Sequence, residues 1–126
     1  MRVFKTKSFV RYARREQIRD QGLCDAIKRA ECGLVDADLG GGVIKQRVPR
    51  AGQGRSGGYR MLIAYRSGDR AVFLYGFAKN ERDNIGDDEL TTLKEIAEAW
   101  LKADTAHLQH ALQEGVLQEV PYGDKK

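Results

Sequence analysis

Two β-like runs joined by a short turn constrain the fold of this chain more than any other feature of its sequence. Residues 59–66 (YRMLIAYR) and 70–78 (RAVFLYGFA) are rich in aromatic and aliphatic side chains, a composition that favours β-strands. The Ser67-Gly68-Asp69 segment between them is typical of a tight hairpin turn. We therefore expect an antiparallel sheet at the centre of the fold, with Arg66 paired with Arg70.

This pairing, extended along the hairpin, predicts which side chains share a face of the sheet. Arg60 is expected opposite Gly76, whose missing side chain would leave the guanidinium over an open end of the sheet. The other face is expected to pack on helices. Its bulky apolar side chains are Tyr59, Met61, Ile63, Tyr65, Phe73, Tyr75 and Phe77.

Helical periodicity predicts two helices before the hairpin and two after it. These helices cover residues 8–16, residues 20 to about 32, a stretch beginning at residue 87 or 88, and residues 104–114. Short strands are expected at residues 1–5, 43–48 and 116–120. Because the helices gather on the sheet instead of alternating with its strands, the expected class is α+β, in the order β-α-α-β-β-β-α plus an extension.

A glycine-rich segment, GQGRSG (52–57), matches the G-x-G-x-x-G pattern of dinucleotide-binding folds. That fingerprint requires a helix directly after the glycines, because the helix N-terminus faces the pyrophosphate. Residues 59–66 are β-like instead. We therefore exclude the nucleotide-binding interpretation and expect a loop carrying Arg55 that leads into a strand.

The cysteines and histidines do not form a metal-binding pattern. Cys24 and Cys32 are eight residues apart in a predicted helix, which places them about 12 Å apart along its axis and beyond disulfide reach. There is no C-x-x-C motif, and His107 and His110 are distant in sequence. We expect neither a metal nor another cofactor.

At 126 residues the chain is long enough to form one domain with its own core. It carries no apolar run of the length that a membrane span needs, and residues 1–5 (MRVFK) lack the apolar stretch of a secretory signal. We expect a cytoplasmic protein with no membrane partner.

The formal net charge of +4 hides an uneven distribution along the chain. Residues 1–82 contain 18 Lys and Arg against 8 Asp and Glu, a net +10, whereas residues 83–126 contain 4 against 10, a net −6. A basic body of this kind indicates a polyanionic partner, with nucleic acid as the leading candidate. A basic surface that is merely solvated is the alternative.

The basic residues are expected to converge at one end of the sheet. Lys45 and Arg47 alternate onto one face of the predicted strand 43–48, and pairing of this strand with 59–66 would bring them beside Arg60. The cations expected there are Lys45, Arg47, Arg55, Arg60, Lys79 and Arg82, next to the rings of Tyr59 and Phe77. Cations with neighbouring aromatic rings suit a phosphodiester backbone and an unstacked base.

Such a cluster has no histidine pair, carboxylate pair or metal ligands, but RNA supplies its own nucleophile, the 2′-hydroxyl. Cleavage then requires in-line positioning, cations for the charge that develops on the phosphate, and a group that transfers protons. Arg60 and Arg55 suit the second task because a planar guanidinium matches phosphate oxygens. Lys45, Lys79 and Glu81 are the candidates for the third, and cations that only bind RNA are the alternative.

Three segments occur in an order and spacing typical of a known family: GLVDADLGGGVIKQRV (33–48), GQGRSGGYR (52–60) and YGFAKNERDNI (75–85). Together they resemble the RelE/HigB-like toxins of bacterial type II toxin–antitoxin systems, and most of all a subgroup of phage-derived or conserved cytoplasmic proteins. The resemblance covers about residues 1–103 as the toxin domain and leaves 104–126 as a helical extension and tail.

The resemblance implies the compact β-α-α-β-β-β-α fold and a ribosome-dependent endoribonuclease, or mRNA interferase, that hydrolyses messenger RNA without a metal. It also implies a cognate antitoxin, usually with a helix-turn-helix DNA-binding domain, that neutralises the toxin and represses the operon.

Active sites of this family use basic residues on the central strands, and the resemblance carries this pattern over to Lys45, Arg47, Arg60 and Lys79. Arg55 and Arg82 match less closely. Many relatives have a catalytic tyrosine or histidine near the C-terminus, whereas residues 83–103 of this chain contain neither. The identity of the proton-transfer group therefore stays open.

Two other functions remain as alternatives. A sister branch of the same superfamily inhibits DNA gyrase by protein binding and has no nuclease activity, although such an inhibitor does not need cations focused at one end of a sheet. The third possibility is an RNA-binding module without catalysis.

Overall fold

The computed structural model describes residues 1–50, 54–82 and 84–123, except for the side chains of residues 54–56. Its helices are α1 (Lys7–Glu16), α2 (Asp20–Glu31), α3 (Asp87–Lys102) and α4 (Thr105–Gln113). Its strands are β1 (Arg2–Thr6), β2 (Ala37–Gly40), β3 (Val43–Arg50), β4 (Gly54–Arg66), β5 (Arg70–Ala78) and β6 (Leu117–Val120). Within these residues, no helix is both long enough and apolar enough to cross a membrane.

All these strands form one sheet in the order β2-β3-β4-β5-β1-β6. The central strands β3, β4 and β5 are antiparallel, as the hairpin predicts. The outer strands depart from the expectation, because β1 runs parallel to β5 and β2 is an additional strand beside β3. The mixed α+β class is therefore confirmed, but the predicted order of elements is only partly matched.

The helices α1 and α2 pack on one face of the sheet. At the start of α1 the Thr6 hydroxyl accepts a hydrogen bond from the Phe9 N–H, which satisfies a backbone donor that the helix leaves unpaired. Phe9 and Ala13 then lie buried against the sheet. The other members of this first core include Leu23, Ile27, Ile44, Val48, Tyr59, Met61 and Ile63.

The helices α3 and α4 cover the opposite face, which we call the α3 face. Buried side chains of this second core include Phe4, Leu62, Val72, Phe77, Ala97 and Leu108. Arg70 donates hydrogen bonds to the carbonyls of Trp100 and Ala103 at 2.7 and 2.8 Å, and Arg66 donates to that of Leu101 at 2.7 Å. Because cations favour the C-terminal end of a helix, these contacts fix the end of α3 over the sheet.

A β-bulge interrupts the hairpin of β4 and β5. The predicted pairing of the residues at the turn is confirmed, but the register shifts between Leu62 and Ile63, so that Leu74 of β5 has no partner on β4. When one strand contains an extra residue, the side chains beyond it lie on the opposite face of the sheet from the one they would occupy without the bulge.

Two predictions were wrong because of this bulge. Arg60 lies opposite Phe77 instead of Gly76, and both Tyr75 and Phe77 lie on the α3 face instead of the face that packs on α1 and α2. Gly76 packs beneath the ring of Tyr12, whose Cε2 atom would be 2.7 Å from a Cβ at this glycine. Only glycine fits this position without movement of the ring.

The segment after residue 103 packs on the rest of the chain. β6 pairs antiparallel with β1, and Leu108, Ala111 and Leu117 lie in the second core. The sequence-based division of the chain at residue 103 stays a prediction.

Candidate functional site

Five cations lie toward the α3 face at one end of the central strands. We call them the basic cluster: Lys45, Arg47, Arg60, Lys79 and Arg82. The antiparallel register places Arg47 of β3 directly opposite Arg60 of β4, and Arg60 directly opposite Phe77 of β5. Arg60 is therefore the central member, with another guanidinium on one side and an aromatic ring on the other.

The two lysines lie one diagonal step from Arg60. Lys45 pairs with Leu62, two residues along β4 from Arg60, and the Lys79 N–H donates to the Gly58 carbonyl at 3.1 Å. Diagonal neighbours on a sheet face are about 7–8 Å apart, a span that long side chains bridge easily. The structure thus brings Lys45, Arg47, Arg60 and Lys79 together.

Arg60 forms no ion pair or hydrogen bond with an acid among the residues that the structure describes, and the charge of Asp36 acts on it from beyond ion-pair distance. Its one hydrogen bond runs to the Tyr59 carbonyl at 3.5 Å, and its side chain is half-buried. Burial lowers the pKa of Arg60 below its ordinary value, and the charge of Arg47 lowers it further. An arginine stays protonated nonetheless, so this guanidinium occupies a place that a bound anion would stabilise.

Arg47, by contrast, is held by Asp36, which the sequence analysis missed. Asp36 accepts a hydrogen bond from the Arg47 N–H at 2.7 Å, and its second oxygen lies 3.7 Å from the Arg47 guanidinium. The carboxylate therefore positions Arg47 through its backbone and its side chain. No spacing in the sequence indicates this pair.

Asp36 is in turn positioned by a fully buried amide, Gln46. The Gln46 side chain accepts from the Asp36 N–H at 2.7 Å and donates to the carbonyls of Ala26 and Leu34 at 2.9 and 3.2 Å. A signal for this residue was present, since Gln46 is the one polar side chain between Ile44 and Val48 on the core-facing side of the strand.

Arg82 is engaged in contacts within the protein. It donates to Glu89 at 2.7 Å and to the Tyr75 hydroxyl at 3.1 Å, and its guanidinium lies 5.7 Å from the centre of the Phe77 ring. The hydrogen bond to Glu89 raises the pKa of Arg82. These contacts join the start of α3 to β5, so Arg82 forms a wall of the site.

The predicted base-stacking rings are not accessible. Phe77 is only 3% exposed and lies under Arg82. The structure does not bring Tyr59 to the basic cluster, because alternation along β4 places it on the face of α1 and α2, where it is 4% exposed and donates a hydrogen bond to Glu16. The side chain of Arg55 lies outside the described residues.

The arrangement is suited to holding one phosphodiester by its charge. Planar guanidiniums bind phosphate oxygens in pairs, and the two lysines add hydrogen-bond donors nearby. Within the described part of the chain, no group of three or more histidine, cysteine, aspartate or glutamate side chains is arranged to hold a metal ion.

Comparison with known families gives a match over most of the chain. The family described as the RelE toxin of the RelE/RelB toxin–antitoxin system matches residues 1–120, a range that includes α4 and β6 as well as the basic cluster. A search of the curated proteins gives no match.

Proposed function

Because this chain belongs to the RelE toxin family, the toxins of toxin–antitoxin systems, we propose that it is a ribosome-dependent endoribonuclease that cleaves messenger RNA in the cytoplasm. The observation that carries this proposal is the pair formed by Arg60 and Arg47. One guanidinium is fixed by a carboxylate, and its neighbour is partly desolvated and forms no ion pair of its own with an acid in the described residues.

This pair supports phosphoryl-transfer chemistry on RNA. The 2′-oxygen attacks the adjacent phosphorus in line with the leaving 5′-oxygen, so the new P–O2′ bond forms as the P–O5′ bond breaks. The products are a 2′,3′-cyclic phosphate and a 5′-hydroxyl. Arg60 and Arg47 stabilise the extra negative charge on the phosphorane, a contribution for which one preorganised donor is worth about 10²–10³ in rate. DNA has no 2′-hydroxyl and is not cut.

Proton transfer falls to Lys45 and Lys79 in this proposal. Both are half-buried beside Arg60, on the strand before it and at the end of the strand after it. One of them, as the neutral amine, accepts the proton from the 2′-hydroxyl, and the other, as the ammonium, donates a proton to the leaving 5′-oxygen. Glu81 is less suited, because its charge acts on the hydroxyls of Tyr12 and Tyr59, which belong to the opposite face.

We further propose that the cognate antitoxin, of the helix-turn-helix type, neutralises the toxin by denying the basic cluster to RNA. One cation of the cluster, Arg47, is exposed at the surface. A partner that covered it would block the phosphate without any change in the toxin fold.

The proposal is tested by induced expression followed by mapping of messenger RNA 5′ ends. Wild type is expected to arrest growth and to produce new 5′-hydroxyl ends inside translated regions. Arg60→Ala should reduce these ends by about 10²–10³. Arg11→Ala removes an exposed arginine from α1 on the opposite face and serves as the matched control, with cleavage as in wild type.

Other outcomes contradict the proposal in distinct ways. Intact transcripts together with double-strand breaks in DNA would identify a gyrase inhibitor. Binding of RNA without new ends or growth arrest would identify an RNA-binding module. New ends that carry a 5′-phosphate would exclude the 2′-hydroxyl as the nucleophile.

A further inference from the structure

Arg82 is the member of the basic cluster whose hydrogen-bond donors are already used within the protein. Its Nε donates to the Asn84 carbonyl at 2.9 Å, and its Nη2 donates to Glu89 at 2.7 Å. Its Nη1 donates to the Tyr75 hydroxyl at 3.1 Å and to the second oxygen of Glu89 at 3.4 Å. An arginine has five N–H donors, so little capacity remains for phosphate oxygens. Because Glu89 also balances its charge, Arg82 is poorly suited to be a phosphate ligand.

The same contacts fix the plane of this guanidinium. It lies over the Phe77 ring, 5.7 Å from the ring centre. Glu89 is itself held at the start of α3, where it accepts a hydrogen bond from the Gly86 N–H at 2.9 Å. The Arg82 side chain is nevertheless 34% exposed. With Phe77 beneath it and hydrogen bonds at its edges, the guanidinium offers its outer face to a ligand.

This outer face lies beside the place where the phosphate binds in the proposed function. Arg82 covers Phe77, and Phe77 pairs directly with Arg60 on the neighbouring strand. Neighbouring strands are about 4.7–4.9 Å apart, a distance that one nucleotide can span. A nucleotide whose phosphate contacts Arg60 would therefore have its base within reach of Arg82.

A base that is bound there needs a flat surface to stack on, and the two rings expected to provide one are buried. Tyr59 lies on the opposite face of the sheet, and Phe77 lies under Arg82. Proteins that bind unpaired nucleotides stack the bases on aromatic rings or on the planes of arginine guanidiniums. Arg82 provides such a plane above the ring that it covers.

We propose that the outer face of Arg82 is the platform on which a base next to the bound phosphate stacks. This inference rests on the proposed function, since the basic cluster must bind the phosphate of an unpaired RNA. The role of Arg82 then differs from that of Arg60, because Arg82 positions the nucleotide through its base, and Glu89 positions Arg82. Every base has a flat face, so this platform orients the chain without selecting a particular base.

The binding of two matched RNA chains isolates the contribution of the bases. One is a single-stranded tetraribonucleotide with methylated 2′-oxygens, which lacks the nucleophile that cleavage needs. The other is the same chain with hydrogen in place of each base. Fluorescence anisotropy at low salt, where phosphate contacts are strongest, gives both affinities. Their ratio, which we call the base ratio, does not depend on cleavage, on the ribosome or on the phosphate contacts that the two chains share.

Arg82→Ala should lower the base ratio by about five-fold or more, as expected for the loss of one stacked base. Arg82→Lys should lower it equally, because lysine keeps the charge and has no plane. Glu89→Gln should lower it by a smaller factor, because its amide oxygen can still accept from Gly86 but the guanidinium is held less firmly. Asp88→Asn is the matched control. It removes the same charge from an exposed residue in the first turn of α3 and should leave the base ratio as in wild type.

The inference is overturned when Arg82→Lys keeps the base ratio of wild type, since Arg82 would then act through its charge. It is also overturned when wild type binds both chains equally, or when Arg82→Ala weakens both by the same factor, as a purely structural role would. Circular dichroism checks that each variant is folded. Arg60→Ala separates this inference from the proposed function, because it should weaken the binding of both chains equally. If it weakened neither, the proposed function would fail even though Arg82→Ala lowered the base ratio.

Discussion

Replacing Gln46 with leucine removes hydrogen bonds that position Asp36, and it leaves the side chains of the basic cluster unchanged. The Gln46 side chain is fully buried and makes three hydrogen bonds, to Asp36, Ala26 and Leu34. Leucine has a similar size and makes none of them. The Asp36 N–H and the Leu34 carbonyl would each lose this partner, whereas the Ala26 carbonyl lies inside α2 and keeps its helical hydrogen bond.

The expected loss in the free energy of unfolding follows from these two groups. A buried donor or acceptor that loses its partner costs about 1–3 kcal/mol. The apolar leucine offsets part of that cost because it buries additional hydrocarbon. We therefore expect Gln46→Leu to lower the free energy of unfolding by about 2–4 kcal/mol. Asp36 would also hold Arg47 less firmly, so cleavage should fall in a protein that still folds.

Urea denaturation measures the stability, and amide hydrogen exchange reports on the Asp36 N–H directly. Gln118→Leu on β6 is the matched control, because Gln118 is exposed and its replacement should change stability by no more than about 0.5 kcal/mol. Were Gln46→Leu as stable as this control, with the Asp36 amide equally protected from exchange, the buried amide would not be what positions Asp36.

Two further predictions concern the face of the sheet that packs on α1 and α2. Gly76→Ala should lower the free energy of unfolding by about 1–3 kcal/mol, because its Cβ would lie 2.7 Å from Tyr12 Cε2 and 3.0 Å from Met61 Sδ. Urea denaturation measures this change. An unchanged midpoint would contradict the close packing. Burial and the hydrogen bond to Glu31 raise the pKa of Tyr65 from 10.0 to about 12, so its contribution to stability is complete below pH 10 and is lost as the pH rises from about 10 to about 12. Tyr65→Phe should therefore lose less stability than wild type between pH 10 and pH 12. If the free energy of unfolding fell by the same amount in both proteins, this cause would be contradicted.

The hairpin and the helices could be predicted from local patterns, but the register of the hairpin could not. Strand composition and the turn define the pairing near Arg66, yet nothing local indicates that Leu74 would be an extra residue. The bulge is linked to tertiary packing, since Gly76 accommodates the ring of Tyr12 from α1. The residue pattern along one strand does not indicate contacts with segments that are distant in the sequence.

The cations of the candidate site could be predicted from the sequence, but the residues that hold them in position could not. Alternation along β3 and β4 correctly placed Lys45 and Arg47 beside Arg60. The same alternation separates Tyr59 from Arg60, because neighbouring residues of a strand lie on opposite faces. The pairs of Arg47 with Asp36 and Arg82 with Glu89 depend on how loops and α3 fold back on the sheet.

A double-mutant cycle on Arg47 and Arg60 tests most directly whether the two guanidiniums act on the same phosphate. Cleavage rates are measured on ribosomes carrying a defined messenger RNA, for wild type, Arg47→Ala, Arg60→Ala and the double variant. Each single variant should lose about 10²–10³ in rate, and the double variant should lose little more, because residues that act as a unit are not additive. Losses that multiply, or an Arg60→Ala protein that cleaves as wild type does, would contradict a shared phosphate between these two side chains.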